Sequence, residues 1–416
     1  MTNILRREFL VSTATAAAAL GVATSARAAS FGNPDSPPEG RINGKNPTSL
    51  NDPGPQNPAL AKEFPSAQNP PATDINGMPQ FWASFNNTHK RYQNGGWARQ
   101  VTQADFAISK DIAGVNMRLS ENGIRELHWH QEAEWAIMLD GTCRVTVIDE
   151  EGRPQVGDVN AGDLWYFPAG LPHSLQGLGK TGGEFLLAFD SGSFSEFSTL
   201  LVTEWFAHTP PDVLALNFGV PADAFKNIPL DQKWIFQGVD PGPLAANERA
   251  VQSAKGAPPS SFLWPMSRMA AARESRGGSV KIADSRNFTA SKTVAAALVT
   301  VKPGAMRELH WHPHADEWQY WLKGKGRMTV FDTGPKAQTA DFNPGDIGYV
   351  KKNLGHYIQN TGNTDLVFLE LFKSDRYAEV SLSDWLRHTP PQLVMSHLNI
   401  SAETLARLSQ VRPDTV

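Results

Sequence analysis

The hexapeptide Arg125-Glu126-Leu127-His128-Trp129-His130 recurs letter for letter at residues 307–312, an offset of 182. Gly162-Asp163 returns as Gly345-Asp346, and His173 as His356, both at an offset of 183. Further on, Trp205 and His208-Thr209-Pro210-Pro211 return as Trp385 and His388-Thr389-Pro390-Pro391, at an offset of 180. Solenoid repeats have periods of roughly 20–50 residues, so a period this long marks a duplicated domain. The chain must build one fold twice, and the chemistry of the repeated residues must occur twice.

Each copy reads as short strands. Residues 136–139 run into Asp140-Gly141, a tight-turn pair, after which residues 143–148 continue as the next strand. Residues 164–167 and 185–189 add two more, and the second copy repeats the scheme. Short strands, regular turns and no alternating helices predict an all-β sandwich or barrel in each half. Residues 199–207, 211–217, 382–386 and 402–408 have helical character, giving each half a small C-terminal helical appendage. The 34 glycines and 30 prolines suit such a turn-rich chain and exclude a helical bundle or coiled coil.

Composition excludes several function classes. A net charge of −4 leaves no basic footprint for nucleic acid. One cysteine, Cys143, excludes an internal disulfide, a Cys-rich zinc site and a CxxC redox pair.

The N-terminus reads as an address. Arg6-Arg7 precede Glu8-Phe9-Leu10 and an alanine-rich apolar run, and Ala26-Arg27-Ala28 offers a cleavage site. A twin-arginine signal of this kind predicts export of an already folded protein, to the periplasm or beyond. No later run reaches the ~18 apolar residues that span a bilayer, so no membrane association is expected after signal removal. The following Pro/Asn/Gly-rich stretch lacks periodicity and reads as an extended arm, either a linker or a strap laid over the folded body. The chain thus divides into signal 1–28, arm 29–95, first domain 96–233, crossover linker 234–275 and second domain 276–416.

The repeated histidines point to metal chemistry. His128 and His130 lie two apart, so on a strand both face one side and Trp129 the other. Glu134 follows closely, and His173 lies just past the 162–168 segment. The second copy supplies His310, His312, Glu317 and His356 in the same order. Three imidazoles and one carboxylate suit a divalent metal of intermediate hardness and leave two of six coordination positions open. Open positions let a substrate or O2 bind the metal itself. His89, His208, His314, His388 and His397 lack a matching set and are read as structural.

These residues resemble the two cupin motifs. The first is HxHx₃₋₄E with a glycine seven residues on, here Gly141 and Gly324. The second runs Gly162, Pro168, Gly170, His173 and, in the other copy, Gly345, Lys351, His356, Asn360. Gly177 departs from the usual asparagine, and Lys351 and Asn353 from the usual proline and glycine. From about Phe81 to His397 the chain is similar to bicupin oxalate decarboxylases, including GDLWYFPxGLPHS at 162–174 and FDxGSFSE at 189–196. That resemblance implies two jelly-roll-like β-barrels, manganese at two sites per chain, O2 as cofactor, oxalate as substrate, and a homo-oligomer, a trimer or a hexamer of two trimers.

The halves also differ. Fifteen residues separate Phe189 from Trp205, against twelve between Phe372 and Trp385. The longer loop holds Ser193-Phe194-Ser195-Glu196-Phe197-Ser198, which resembles the mobile lid of oxalate decarboxylases. The resemblance makes Glu196 the proton donor, with Phe197 replacing a usual polar residue. Read alone, Glu196 is as readily a solvated loop carboxylate. Glu370 stands where the first half has Leu187, and an inward carboxylate on a barrel strand needs a partner, expected at the second metal site, which makes Glu370 a further catalytic candidate and the alternative proton donor.

Arg125 and Arg307 precede the histidine pairs by three residues. On a regular strand they point outward into an exterior salt bridge. Facing inward requires a bend after Asn122-Gly123 or Pro303-Gly304. The resemblance places these arginines against the substrate. The rival readings are an oxalate oxidase lacking the proton donor, a non-catalytic bicupin, and another cupin reaction such as dioxygenation or isomerisation.

Overall fold

In the first half, two long strands, Glu134–Ile148 and His173–Phe189, pair with each other along nearly their whole length. Ala113–Leu119 and then Gly96–Val101 extend the sheet on one side, Leu164–Phe167 and Pro154–Asn160 pair with Glu134–Ile148, and Gly123–Trp129 pairs with His173–Phe189. The described residues of this computed structural model are 57–75, 77–334, 336–408 and 415–416. The export signal and most of the arm lie outside them. Among the described residues, no helix is long and apolar enough to cross a membrane.

Asp140-Gly141 is not a hairpin turn. Both flanking segments pair with the same partner strand, and the register shifts on either side of the dipeptide. It is a bulge that bends one continuous strand from one wall of the barrel to the other. Gly141 has φ +73°, and a Cβ there would lie 2.0 Å from the Gly182 carbonyl oxygen. That explains the motif glycine. In the second half the same strands are interrupted: Glu317–Lys323 stops before Gly324 and resumes as Gly326–Asp332. The two walls there form separate sheets of seven and five strands.

The departures from the motif have local causes. Asn353 adopts φ +68° where the first half has Gly170 at φ +82°, a conformation asparagine tolerates. The Asn360 amide donates to the Val301 and Thr364 carbonyls at 2.8 Å and closes the strand Gly355–Asn360. Its counterpart Gly177 lies inside a strand that continues, where a Cβ would meet the Ser120 carbonyl at 2.3 Å.

Residues 57–74 fall in a unit of their own, with short helices Pro58–Glu63 and Pro65–Gln68. Beyond it, Trp82–Ser84, expected in the arm, pairs with Asp346–Val350 of the second half. Leu263–Trp264, expected in the linker, pairs reciprocally with Leu164–Phe167 of the first. Each half thus receives an edge strand from the segment leading into the other, which protects edges that would otherwise be open. One continuous apolar core joins Trp135, Trp165 and Phe185 of the first half to Trp318, Tyr349 and Leu371 of the second. The second barrel has its own core around Trp321, Phe342 and Phe368. Helices Val202–Ala207 and Pro211–Phe218 close the first half. Leu382–Arg387, Pro391–Leu398 and Ala402–Leu408 close the second.

Candidate metal centres

His128, His130, Glu134 and His173 are all buried, and their ligand atoms lie within 4.8 Å of one another; His310, His312, Glu317 and His356 form the matching second cluster. Antiparallel pairing sets His128 directly opposite His173, and His310 opposite His356. The paired histidines thus come from neighbouring strands, and in the second half Glu317 reaches them from the other sheet.

The tautomers are set by backbone carbonyls. The Nδ1 atoms of His128, His173, His310, His312 and His356 face the carbonyls of Glu126, Leu171, Glu308, Ala378 and Leu354 at 2.5–3.1 Å. Each Nδ1–H donates outward and leaves a bare Nε2 lone pair pointing in. Glu134 Oε2 lies 3.3 and 3.4 Å from His130 and His173 Nε2, and Glu317 Oε2 lies 3.2 and 2.9 Å from His312 and His356 Nε2. The histidine Nε2 atoms in these four contacts and both Oε2 atoms are buried without a hydrogen-bond partner. Acceptors converging on acceptors in a dry site need a cation between them, so both donor sets fit a divalent metal.

Second-layer contacts orient the carboxylates. Trp165 Nε1 donates to Glu134 Oε1 at 2.8 Å, and Gln319 Nε2 donates to Glu317 Oε1 at 2.7 Å. Burial, together with the neighbouring imidazoles and Arg125, pushes His128 well below the ordinary histidine range; burial and Arg307 do the same to His310. A depressed pKa keeps the lone pair available near neutral pH.

Both arginines are buried, and the bend that turns them inward is not where the glycine turns suggested. The register shifts between Arg125 and His128, and between Arg307 and His310. This bulge lies after the arginine and changes side-chain parity within the motif itself, so residues three apart share one face. The settings of the two arginines differ. Arg125 Nη2 donates to the Thr199 hydroxyl and Nη1 to the Trp234 carbonyl, both at 3.3 Å. Burial pulls it below the ordinary arginine range, with Glu196 opposing. Arg307 pairs with Glu379, donates to the Tyr377 hydroxyl at 2.8 Å, and lies 3.6 Å from Glu370 Oε1.

Glu196 is buried in a one-turn 3-10 segment, Glu196–Ser198, and pairs with Arg91. It lines a small cavity with Arg125, His128, His130 and Glu134, walled by Leu187, Phe189 and Phe194. Glu370 is buried too, but it does not join the four converging ligands. Arg307 and the Tyr377 hydroxyl, 3.2 Å from Oε2, hold it. Burial pushes its carboxyl up to about 7 against the pull of Arg307. His208 and His388 donate Nδ1 to carbonyls at helix ends.

Sequence reasoning missed Arg91, Trp234, Tyr377 and Glu379. Arg91 sits in the expected arm and Trp234 at the start of the expected linker. Tyr377 and Glu379 fall in the shorter loop, where the lid comparison drew attention to the other copy.

The cupin family profile matches residues 83–224 and 269–406. Oxalate decarboxylase OxdC of Bacillus subtilis (strain 168) is 49% identical over 362 residues, covering 87% of this chain and 93% of that protein. A probable oxalate decarboxylase of Arthroderma benhamiae is 41% identical, covering 82% and 84%. A solved structure of the B. subtilis oxalate decarboxylase, described with Mn(II) centres, superposes with a TM-score of 0.86 at 47% identity, covering 92% of this chain and 99% of that one.

Proposed function

The chain belongs to the cupin family as a two-barrel oxalate decarboxylase, and from that premise we propose that turnover occurs in the first barrel, with Arg125 orienting oxalate and Glu196 supplying the proton. His128, His130, Glu134 and His173, and likewise His310, His312, Glu317 and His356, would hold manganese, which when bound would supply a Lewis acid and a one-electron couple for chemistry with oxalate and O2. Oxalate dianion plus one proton gives formate and CO2. The C–C bond breaks, its electron pair ends in the new C–H bond, and no net oxidation occurs, so O2 is returned unchanged.

The chain's own residues provide placement and the proton. Arg125 is a buried cation with no carboxylate partner in hydrogen-bonding contact among the described residues. Its guanidinium can bind and polarise an oxalate carboxylate through charge-assisted hydrogen bonds. Glu196 lines the same cavity and acts as the acid at the nascent formate carbon. Leu187, Phe189 and Phe194 give that cavity an apolar wall, which disfavours water as a competing proton source. The observation that carries this reading is the shared cavity: one buried arginine and one lid carboxylate beside the imidazole cluster. The second half has its arginine already paired with carboxylates.

The test supplies oxalate to manganese-loaded protein under O2 and measures formate against hydrogen peroxide. Formate is expected to dominate, and dominant peroxide would overturn the proton-donor assignment. Export by the twin-arginine route belongs to the same proposal. Replacing Arg6 and Arg7 together by lysine is expected to strand the uncleaved precursor in the cytoplasm. Normal export of that variant would remove it.

A further inference from the structure

We propose that Arg91 is a positioning residue for this reaction, an outer latch that holds the lid carboxylate of Glu196 over the first cavity. The inference rests on the reading of Glu196 as proton donor and adds what places it. Glu196 lines two cavities at once: the inner one with Arg125 and the imidazoles, and an outer one of about 510 Å³ with Arg91 and Gln100. Both of its anchors come from outside the lid. Arg91 Nη2 pairs with Oε1, and the Glu196 backbone N–H donates to Gln100 Oε1 at 2.9 Å. Arg91 lies on the strand Arg91–Gln93 and Gln100 on Gly96–Val101, which pair as a hairpin at the sheet end. These two contacts tie the lid glutamate to the barrel wall, while Phe194 of the same loop stacks on Phe189 of the strand that carries His173.

The geometry also selects the oxygen. A guanidinium only donates, so the oxygen it holds cannot carry an acidic proton toward it. Arg91 occupies Oε1, which leaves Oε2 to carry the proton into the inner cavity.

Trp234 keeps the two arginines in separate places. The Arg91 guanidinium lies 5.1 Å from the indole ring and the Arg125 guanidinium 5.2 Å from it, both within cation–π range. Trp234 has φ +53°, a left-handed conformation costly for a bulky residue. Glu126 pins it there: Oε2 accepts from the Trp234 N–H at 2.6 Å, and the Glu126 N–H donates to the Trp234 carbonyl at 3.1 Å. Phe197 stacks edge-on to the same indole at 6.0 Å and lies 5.9 Å from Arg91. An aromatic residue after the lid glutamate is therefore a packing contact of the latch.

The experiment uses the manganese-loaded full chain and two variants, Arg91→Gln and Arg91→Lys, the second keeping the cation. Hydrogen exchange of the 191–200 lid peptide is measured without oxalate, and the formate-to-peroxide ratio with it. Arg91→Gln is expected to speed lid exchange about tenfold or more and to shift products severalfold toward peroxide. Arg91→Lys is expected to stay within about threefold of the parent in exchange. Unchanged lid exchange in Arg91→Gln overturns the latch, and so does equally fast exchange in both variants. An opened lid with an unchanged product ratio, while Glu196→Ala does shift products, overturns the positioning role but leaves the proton donor standing. If Glu196→Ala leaves formate dominant, the proton-donor reading falls, and the exchange comparison still decides the latch by itself.

Discussion

Glu379 occupies in the second half the place that Thr199 holds in the first. Leu200 pairs with Trp129 and Leu201 with His128, while Val380 pairs with Trp311 and Ser381 with His310. The residue before each pair is Thr199 in one copy and Glu379 in the other. A hydroxyl beside Arg125 leaves its charge available to a ligand. A carboxylate beside Arg307 neutralises it. On the proposed function the same motif arginine is a binding group in one barrel, and in the other it is a member of a buried ion-pair cluster.

The two arginines should therefore fail differently. Arg307→Gln leaves Glu370 and Tyr377 without their buried cation, while Glu379 keeps Arg273, and loss of one partner from a buried pair costs about 3–5 kcal/mol. Arg125→Gln is expected to melt near the parent but to lose about 10²-fold or more in kcat/KM for oxalate. Denaturant titration and steady-state kinetics on both variants check this. Equal stability losses would contradict it.

Metal content should halve with either cluster. His128→Ala and His310→Ala are each expected to reduce bound metal from two ions per chain to one, and only the former should abolish formate production. Chelation should lower the melting temperature, since the metal binds the folded state alone. Elemental analysis and calorimetry give the readouts.

Glu196→Gln keeps the shape of the lid and removes the acid. Formate production is expected to fall by about 10²–10⁴, with metal content unchanged and peroxide rising as a share of product. Quantifying both products in the same reaction distinguishes loss of the proton donor from loss of oxalate binding.

Glu370 sets a pH dependence in the metal-free protein. Burial raises its carboxyl to about 7 from a usual value near 4.5. Between those values the folded state holds more protons than the unfolded one, so this group's contribution to stability falls as pH rises through that window. Glu370→Gln, which cannot ionise, should remove that component. The variant should gain on the parent between about pH 5 and 7, by at most about 3 kcal/mol. Melting both proteins across pH 4.5–7.5 gives the difference curve, and a flat difference would refute the assignment.

The duplication, the all-β architecture and the clustering residues were legible because each depends on local pattern. Strand periodicity places two histidines two apart on one face. Metal chemistry restricts the side chains that can serve there. A second copy in the same order removes coincidence. Gly141 could be seen to matter, yet whether Asp140-Gly141 made a turn or a bulge depended on which strand its flanks paired with, and sequence does not carry that information.

What only the tertiary structure decided are the neighbours brought in from a distance. Arg91 reaches Glu196 across 105 positions, and Trp234 reaches Glu126 across 108. Trp82–Ser84 and Leu263–Trp264 cross to the opposite barrels. Arg125 faces inward through a bulge inside the motif, a register shift that leaves no mark in residue spacing. Sequence by itself picked out the two sets of candidate ligands, because a metal selects donor atoms by type and short-range spacing. The fold decided which copy keeps a free arginine and a held lid, because those depend on sheet register and on side chains that meet only after the barrels close.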